Sequence, residues 1–228
     1  MNNNQLNAAS FVGSLVFRQK QFEDLLVCCV DIYSDIKSKK LSISKKEESI
    51  RDCFFNYLND DDYRTEVGCL QNFHFEKEPQ ENIGYLDIKV KTLNPYKSTK
   101  AFYIIECKNL NCKNLKGDTG LNAEYVKNGI CRFVTEYYSS YFNCNAMFGF
   151  LIEEVDVQKD VVDNVNLKLN VDLDKGHGAK VNANTIKKMQ YEDFANGYPY
   201  SYISTHTCQS GKELTLYHLM FDFSQNIK

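Results

Sequence analysis

Two segments of the chain are apolar on both faces of an extended strand. Residues 101–105 and 146–152 contain no charged side chain, and strands that are buried on both faces have this composition. Between them, residues 121–142 carry apolar side chains at helical spacing. A strand, a crossover helix and a second strand form a βαβ unit, in which the strands are parallel and the connection is right-handed. The order of these segments therefore predicts an α/β domain with a central sheet.

Further strands are predicted before this unit. Residues 83–91 alternate between polar and apolar side chains and are followed by a turn region at Asn94 and Pro95. They are therefore expected to pair antiparallel with residues 100–108. Residues 63–75 alternate less regularly, which predicts one or two short strands with a bulge or turn. Because it combines parallel and antiparallel pairs, the sheet is predicted to be mixed.

The C-terminal part is predicted to form a β-hairpin at an edge of the sheet. Residues 200–208 and 214–223 have strand composition, and Ser210 and Gly211 lie between them at the predicted turn. His206 shares a strand face with other polar side chains and is expected to be an exposed histidine, with contact to a phosphate as the alternative.

Two helical regions precede the sheet. Residues 1–40 carry apolar side chains at spacings of three and four, which predicts one long amphipathic helix or two shorter ones. This N-terminal helical extension needs a cover for its apolar face, either the core of the domain or a partner protein. Residues 44–58 begin with the capping-box residues Ser44 and Glu47 and predict a second helix. Residues 41–228 are predicted to form a single domain.

The composition of the chain bears on three properties of the protein, namely nucleic-acid binding, zinc binding and membrane association. The net charge is −3, so nucleic-acid binding would need a local basic patch rather than the overall field of the protein. The nine cysteines include no CxxC pair, which predicts reduced thiols in a cytoplasmic protein and gives no support for a zinc site. Neither a secretory signal nor an apolar run of about 18 residues is present, so no membrane partner is expected.

Three charged residues stand in apolar strands, Glu106 and Lys108 at the end of one and Asp87 inside the other. Glu106 and Lys108 are two residues apart and point to one face, while Cys107 points to the other. Asp87 lies in the preceding predicted strand, and hairpin pairing would bring it next to Glu106. Two carboxylates held close together repel each other unless a cation lies between them, and Mg²⁺ prefers oxygen ligands. The backbone carbonyl of Cys107 would add a further oxygen ligand.

These residues resemble the core of PD-(D/E)xK nucleases. Gly84, Tyr85, Leu86 and Asp87, followed by the Ile-Glu-Cys-Lys sequence that ends at Lys108, are similar to the motif of that superfamily. The chain departs from it in having Leu86 where the family has proline. The resemblance implies a restriction-endonuclease-like fold, with a mixed sheet flanked by helices. It also implies that Asp87 and Glu106 bind Mg²⁺, for which Mn²⁺ can substitute, and that Lys108 orients or deprotonates the attacking water.

The resemblance suggests further residues around this core. The family typically has a glutamate on a preceding helix, and Glu47 is the candidate for an additional catalytic residue and outer metal ligand; its alternative role is in the capping box. A helix after the motif lysine usually faces the substrate. The candidates for nucleic-acid contact there are Lys113, Lys116, Lys127 and Arg132, although a solvated helix face is an equally good explanation for Lys127.

The function implied is Mg²⁺-dependent hydrolysis of phosphodiester bonds, with DNA favoured over RNA as substrate. The run of residues 122–133 is similar to that of bacterial nuclease-like proteins, and such nucleases often serve restriction or antiphage defence. A larger assembly, contacted through the N-terminal helical extension, is part of this expectation. The alternative is a catalytically inactive module that uses the nuclease fold to bind protein or nucleic acid.

Overall fold

A seven-stranded mixed sheet flanked by helices is the centre of the protein, so the predicted α/β class is confirmed. The computed structural model describes residues 12–81, 84–93, 101–116, 118–138, 141–169 and 183–228. The strands are β1 Phe73–Lys77, β2 Gln80–Glu81, β3 Gly84–Tyr85, β4 Ile88–Thr92, β5 Phe102–Leu110, β6 Cys144–Leu151, β7 Thr185–Tyr191, β8 Ser201–Thr207 and β9 Glu213–Asp222. The order in the sheet is β1-β4-β5-β6-β9-β8-β7, and β2 pairs with β3 separately.

The parallel part of the sheet lies in its middle. Strand β6 runs parallel to both β5 and β9, while β4 pairs antiparallel with β5, as predicted from the sequence. The segment between β5 and β6 contains a helix, so the predicted βαβ unit is present. Both β5 and β6 are buried along almost their whole length, in agreement with their apolar composition.

The helices of the protein are α1 Val12–Ser38, α2 Glu47–Asn59, α3 Asp61–Glu66, α4 Leu121–Tyr125, α5 Cys131–Val134 and α6 Asp163–Lys168. A 3-10 helix covers Gly68–Asn72, and π-helical turns cover Val126–Ile130 and Val157–Val162. Among the described residues, none of the helices combines the length and the apolar character needed to cross a membrane.

The helices cover the two faces of the sheet with separate hydrophobic clusters. On one face, buried residues of α1 and α2, such as Phe22 and Phe54, pack with Tyr103, Phe148 and Phe221 of the sheet. On the other face, α4, α5, α6 and the π-helical turns pack on residues of β5, β6, β8 and β9. The apolar face of α1, a single helix, is therefore packed in the same cluster as the centre of the sheet. Phe11, one of the predicted apolar positions, lies outside the described residues.

Two predictions about the strands hold only in part. Residues 63–75 were expected to form one or two short strands, but only residues 73–75, at the start of β1, are in a strand, and most of the others are helical in α3 and the 3-10 helix. The Asp60 side chain accepts a hydrogen bond from the Tyr63 amide and caps α3. The hairpin of β8 and β9 does not form the edge, because β7 pairs with β8 beyond it. The predicted turn at Asn94 and Pro95 lies outside the described residues.

The helical segment between β5 and β6 is shorter than predicted. The expected helix over residues 121–142 ends at Val134, and its middle is a π-helical turn. Gly129 lies in this turn, and a Cβ atom there would overlap the end of the Met147 side chain. The missing side chain therefore allows the helical segment to approach β6 closely.

The sequence predicts reduced thiols, and the structure places one pair of cysteines side by side. Cys28 on α1 and Cys69 in the 3-10 helix are joined as a disulfide, with Cα atoms 7.3 Å apart, beyond the roughly 7 Å at which two cysteines can be bridged without backbone movement. The other seven cysteines are free. Their spacing in the sequence does not reveal the pair, because the two cysteines meet only through the packing of α1 on the segment that follows α3.

His206 is buried rather than exposed, which corrects the expectation from the sequence. Its Nε2 atom and that of His218 each lie 2.7 Å from the Ser204 hydroxyl, and Nδ1 of His218 lies 2.8 Å from the Tyr125 hydroxyl. Burial lowers the pKa of His206 to about 4. Burial, together with the nearby His206, lowers the pKa of His218 to about 3.

We expect these two histidines to make the fold sensitive to mild acid. In the unfolded chain both bind a proton near the ordinary histidine pKa of 6.5, whereas in the folded protein they do so only at about 4 or below. Their contribution is therefore fully present above pH 6.5 and is lost as the pH falls. Well below pH 6.5, the free energy of unfolding should decrease by about 1.4 kcal/mol per pH unit for each histidine, and less steeply near pH 6.5. Urea unfolding between pH 7 and 5 measures this slope.

The matched variants for this measurement are single substitutions. His206→Gln and His218→Gln should each reduce the slope. A slope that is the same in both variants and in the wild-type protein would contradict the assignment.

Candidate active site

The end of β5 lacks a strand partner on one side. The pairing of β4 with β5 stops at Ile88 and Ile105, while β6 remains paired with β5 as far as Leu110. Backbone groups that point away from β6 beyond Ile105 therefore have no strand to bond, and buried backbone groups rarely stay unpaired. Side chains of the candidate site take the place of the missing strand.

Three charged side chains bond to this open end of β5. The Cys107 amide donates to Oδ2 of Asp87 at 2.8 Å, and the Asn109 amide donates to Oε2 of Glu47 at 2.8 Å. The ammonium of Lys108 donates to the Cys107 carbonyl at 2.6 Å. The structure therefore brings Asp87, Lys108 and Glu47 together at a single location, although they come from three different segments.

Four oxygen atoms surround the Lys108 ammonium. Besides the Cys107 carbonyl, Nζ lies 2.9 Å from Oε1 of Glu106, 3.1 Å from Oε1 of Glu47 and 3.6 Å from Oδ2 of Asp87. Burial opposes the charge of Lys108, but the three carboxylates more than offset it, so its pKa lies above the ordinary value. We refer to the carboxylates of Glu47, Asp87 and Glu106 and the Cys107 carbonyl as the oxygen cage.

Glu106 is the most deeply buried acid of the cage. Its side chain is 2% exposed; burial and the charge of Asp87 raise its pKa, while Lys108 and Arg132 lower it. Tyr138 donates a hydrogen bond to Oε2 at 3.0 Å, and Arg132 lies 3.6 Å from Oε1. Arg132 also donates to the Tyr138 hydroxyl at 2.8 Å. These contacts hold the carboxylate in one orientation.

Asp87 lies in a short gap between β3 and β4, not inside a strand as predicted. Its backbone carbonyl accepts a hydrogen bond from the Glu78 amide at 3.1 Å. Its Oδ1 atom accepts a hydrogen bond from the Arg51 guanidinium at 2.9 Å. Both carboxylate oxygens of Asp87 are thus engaged, one by Arg51 and the other by the open end of β5.

Glu47 is the first residue of α2 and does not serve in a capping box. The N-cap residue is Lys46, which makes no side-chain cap hydrogen bond, and the Glu47 carboxylate points to Lys108 and the Asn109 amide. The helix therefore begins at residue 47 rather than 44. The first turn of α2 therefore places the Glu47 carboxylate in the oxygen cage.

The four predicted nucleic-acid contacts lie at different places. Arg132 contacts Glu106 and Tyr138 and is therefore part of the surroundings of the cage. Lys113 is exposed and forms an ion pair with Glu153 at 3.1 Å, Lys116 is exposed, and Lys127 is half-buried in the π-helical turn. Only Arg132 among them is shown in contact with a residue of the cage.

Sequence reasoning missed three residues that complete the arrangement. Arg51 and Tyr138 bond to carboxylates of the cage, and the Asn109 amide holds Glu47. A signal for Arg51 was present, because it follows Glu47 by four residues on a predicted helix and so lies on the same face. No comparable signal marks Tyr138, since it follows α5 in a segment without regular structure.

The atoms of the oxygen cage are of the kind that binds a hard divalent cation, but their distances are those of hydrogen bonds to an ammonium group. All four groups present oxygen atoms, the ligands that Mg²⁺ prefers. These oxygen atoms already surround the positive charge of Lys108. Metal-to-oxygen distances for Mg²⁺ are about 2.0 to 2.1 Å, shorter than the contacts made by Lys108. In keeping with this spacing, no group of three or more His, Cys, Asp or Glu residues in the described parts of the chain is arranged to hold a metal ion.

Comparison of the chain with protein-family models, with curated proteins and with solved structures finds no match.

Proposed function

We propose that the protein is a Mg²⁺-dependent nuclease of the PD-(D/E)xK kind, with a restriction-endonuclease-like fold. The observation that carries the proposal is the oxygen cage, in which Glu47, Asp87 and Glu106 and the Cys107 carbonyl surround one positive charge. Ion pairs alone give little net stabilisation in a buried setting. A cluster of three acids at the open end of a strand is better explained by a bound cation.

Asp87, Glu106 and the Cys107 carbonyl would hold the metal, and Glu47 would act as an outer ligand. A bound Mg²⁺ would lower the pKa of water and neutralise charge on a phosphate group. The protein's own contribution is to hold the oxygen ligands in place before binding. Tyr138 and Arg132 orient Glu106, the Cys107 amide orients Asp87, and the Asn109 amide orients Glu47.

Lys108 has two roles in this proposal. In the metal-free protein its ammonium neutralises the acids of the cage. With the charge of the acids neutralised by a bound cation, the Lys108 ammonium would be free to bind the attacking water or the charge that develops on the phosphate, a contribution typical of a cation within hydrogen-bond distance. Its side chain is 11% exposed, so a small part of it is open to solvent.

DNA is the proposed substrate, and restriction or antiphage defence within a larger assembly is the proposed setting. Both rest on the resemblance of the motif. The net charge of −3 supports an assembly, because a protein without a strong positive field binds nucleic acid better when a partner supplies additional contacts.

A non-catalytic role for the same fold is the second candidate. The observation in its favour is that Lys108 and Arg51 already pair with the acids of the site. In this case the charged cluster would stabilise the open end of β5, and the protein would bind a partner or nucleic acid without cleaving it.

Incubation of the purified protein with plasmid DNA and with RNA separates the two candidates. We expect cleavage of DNA in Mg²⁺ or Mn²⁺ and none in EDTA. Cleavage that continues in EDTA would contradict the metal-dependent mechanism. Absence of both cleavage and Mn²⁺ binding in isothermal titration calorimetry would favour the non-catalytic candidate.

A further inference from the structure

Arg51 is a buried cation on the same helix face as Glu47. The residue is 5% exposed, and its guanidinium contacts three acids. Nη1 lies 2.9 Å from Oδ1 of Asp87 and 3.0 Å from Oε1 of Glu78. Nε and Nη2 donate to Oδ1 of Asp52 at 3.2 and 3.1 Å. These contacts are all made to carboxylates, and one of the carboxylates, that of Asp87, belongs to the oxygen cage.

Asp87 needs such a contact because the strand pairing does not hold it. It lies between β3 and β4, next to the acids Glu106 and Glu78. Like charges that are this close repel each other. Without Arg51, only the Lys108 ammonium, 3.6 Å from Oδ2, would oppose this repulsion, and Asp87 would be held less firmly near Glu106.

The guanidinium connects the two sides of the turn that contains Asp87. Glu78 follows β1 and Asp87 precedes β4, and their backbones are already joined by the Glu78 amide and the Asp87 carbonyl. By contacting both side chains, Arg51 ties this turn to α2. Because α2 also carries Glu47, one helix sets the distance between two acids of the cage.

We propose that Arg51 is a positioning residue that holds Asp87 against the open end of β5, with Oδ1 on the guanidinium and Oδ2 on the Cys107 amide. Its burial excludes direct contact with a substrate, so it acts through Asp87. The consequence for metal binding rests on the proposed function, whereas the placement of Asp87 is a property of the metal-free protein. The two parts can therefore be tested separately.

The first test measures the placement of Asp87 without metal. The Cys107 amide donates a charge-assisted hydrogen bond to Asp87, so its proton resonance should lie downfield and exchange slowly with solvent. In Arg51→Gln we expect the resonance to move upfield and the exchange to become at least about tenfold faster, since the loss of about 1.4 kcal/mol of protection corresponds to that factor. Two-dimensional ¹⁵N NMR of the full chain measures both quantities.

The second test measures Mn²⁺ affinity by isothermal titration calorimetry. Residues that orient a metal ligand typically contribute about 10-fold to 100-fold to affinity, and we expect a loss in this range for Arg51→Gln. Arg64→Gln is the matched control. Arg64 is also partly buried, but its guanidinium donates to the carbonyls of Leu58 and Phe73 and contacts no acid of the cage. This variant should lose stability while its Mn²⁺ affinity stays within about twofold of the wild-type value.

Each outcome decides the proposal. An unchanged Cys107 amide in a folded Arg51→Gln variant would overturn it. So would an Mn²⁺ affinity within twofold of wild type, or an equal loss of affinity in Arg64→Gln. If Arg51→Gln does not fold, Arg51→Lys replaces it, because a single ammonium cannot bridge Asp87, Glu78 and Asp52, and the same two criteria apply. A wild-type protein that binds no Mn²⁺ would refute the proposed function, while the amide measurement would still decide the role of Arg51.

Discussion

Replacement of Asp87 by asparagine is expected to reduce DNA cleavage by at least about 1000-fold, equivalent to about 4 kcal/mol of transition-state stabilisation. The substitution keeps the shape of the side chain and one acceptor oxygen, which can bond to the Cys107 amide but then no longer to Arg51. It removes one negative charge from the oxygen cage, and with it the charge that would attract a divalent cation. The single-turnover rate on a labelled duplex in Mg²⁺ measures the effect.

The control for this prediction is Asp62→Asn. Asp62 is an exposed acid on α3 and makes no contact with the cage, so the rate should stay within about twofold of wild type, as for most surface substitutions. Full activity of Asp87→Asn would exclude Asp87 as a metal ligand. A similar loss in both variants would indicate a general effect on the fold.

Lys108→Met is expected to have opposite effects on catalysis and on metal binding. Cleavage should fall by at least about 100-fold, because no cation remains to orient the water or the developing charge. Mn²⁺ affinity should instead rise by about tenfold, or about 1.4 kcal/mol, because the ammonium no longer competes for the cage. Calorimetry and single-turnover kinetics on the same preparation test the two effects together.

Lys159 is exposed, and Lys159→Met serves as the control for the loss of a lysine. Its cleavage rate and its Mn²⁺ affinity should match those of the wild-type protein. If Lys108→Met bound Mn²⁺ more weakly than wild type, the ammonium would be a supporting element of the cage and not a competitor. Retained cleavage in Lys108→Met would remove Lys108 from the mechanism altogether.

The central part of the fold could be predicted from the sequence because it depends on local patterns. The apolar segments that became β5 and β6, and the helical spacing between them, determine a parallel pair without knowledge of distant contacts. The hairpin of β8 and β9 was predictable for the same reason. Strand β7 was missed, since four of its seven residues are polar and its pairing with β8 is irregular.

The candidate site was predictable only to the extent that strand geometry determines it. Glu106 and Lys108 must share a face because they are two residues apart, and antiparallel pairing brings Asp87 near them. The contact of Arg51 with Asp87 depends on how α2 packs on the sheet, and the contact of Tyr138 with Glu106 depends on where α5 ends. Such contacts follow from tertiary packing, which a single sequence does not reveal.

The open end of β5 also has a consequence for solubility. A strand with unpaired backbone groups is a template on which a strand of another molecule can add, and this is a common start of aggregation. In this protein the Asp87 and Glu47 carboxylates and the Lys108 ammonium form hydrogen bonds with those backbone groups. We therefore expect the charges of the candidate site to protect the chain from intermolecular β-pairing as well. Truncation of these side chains to alanine would expose the template, so inactive variants are best made with substitutions of the same shape.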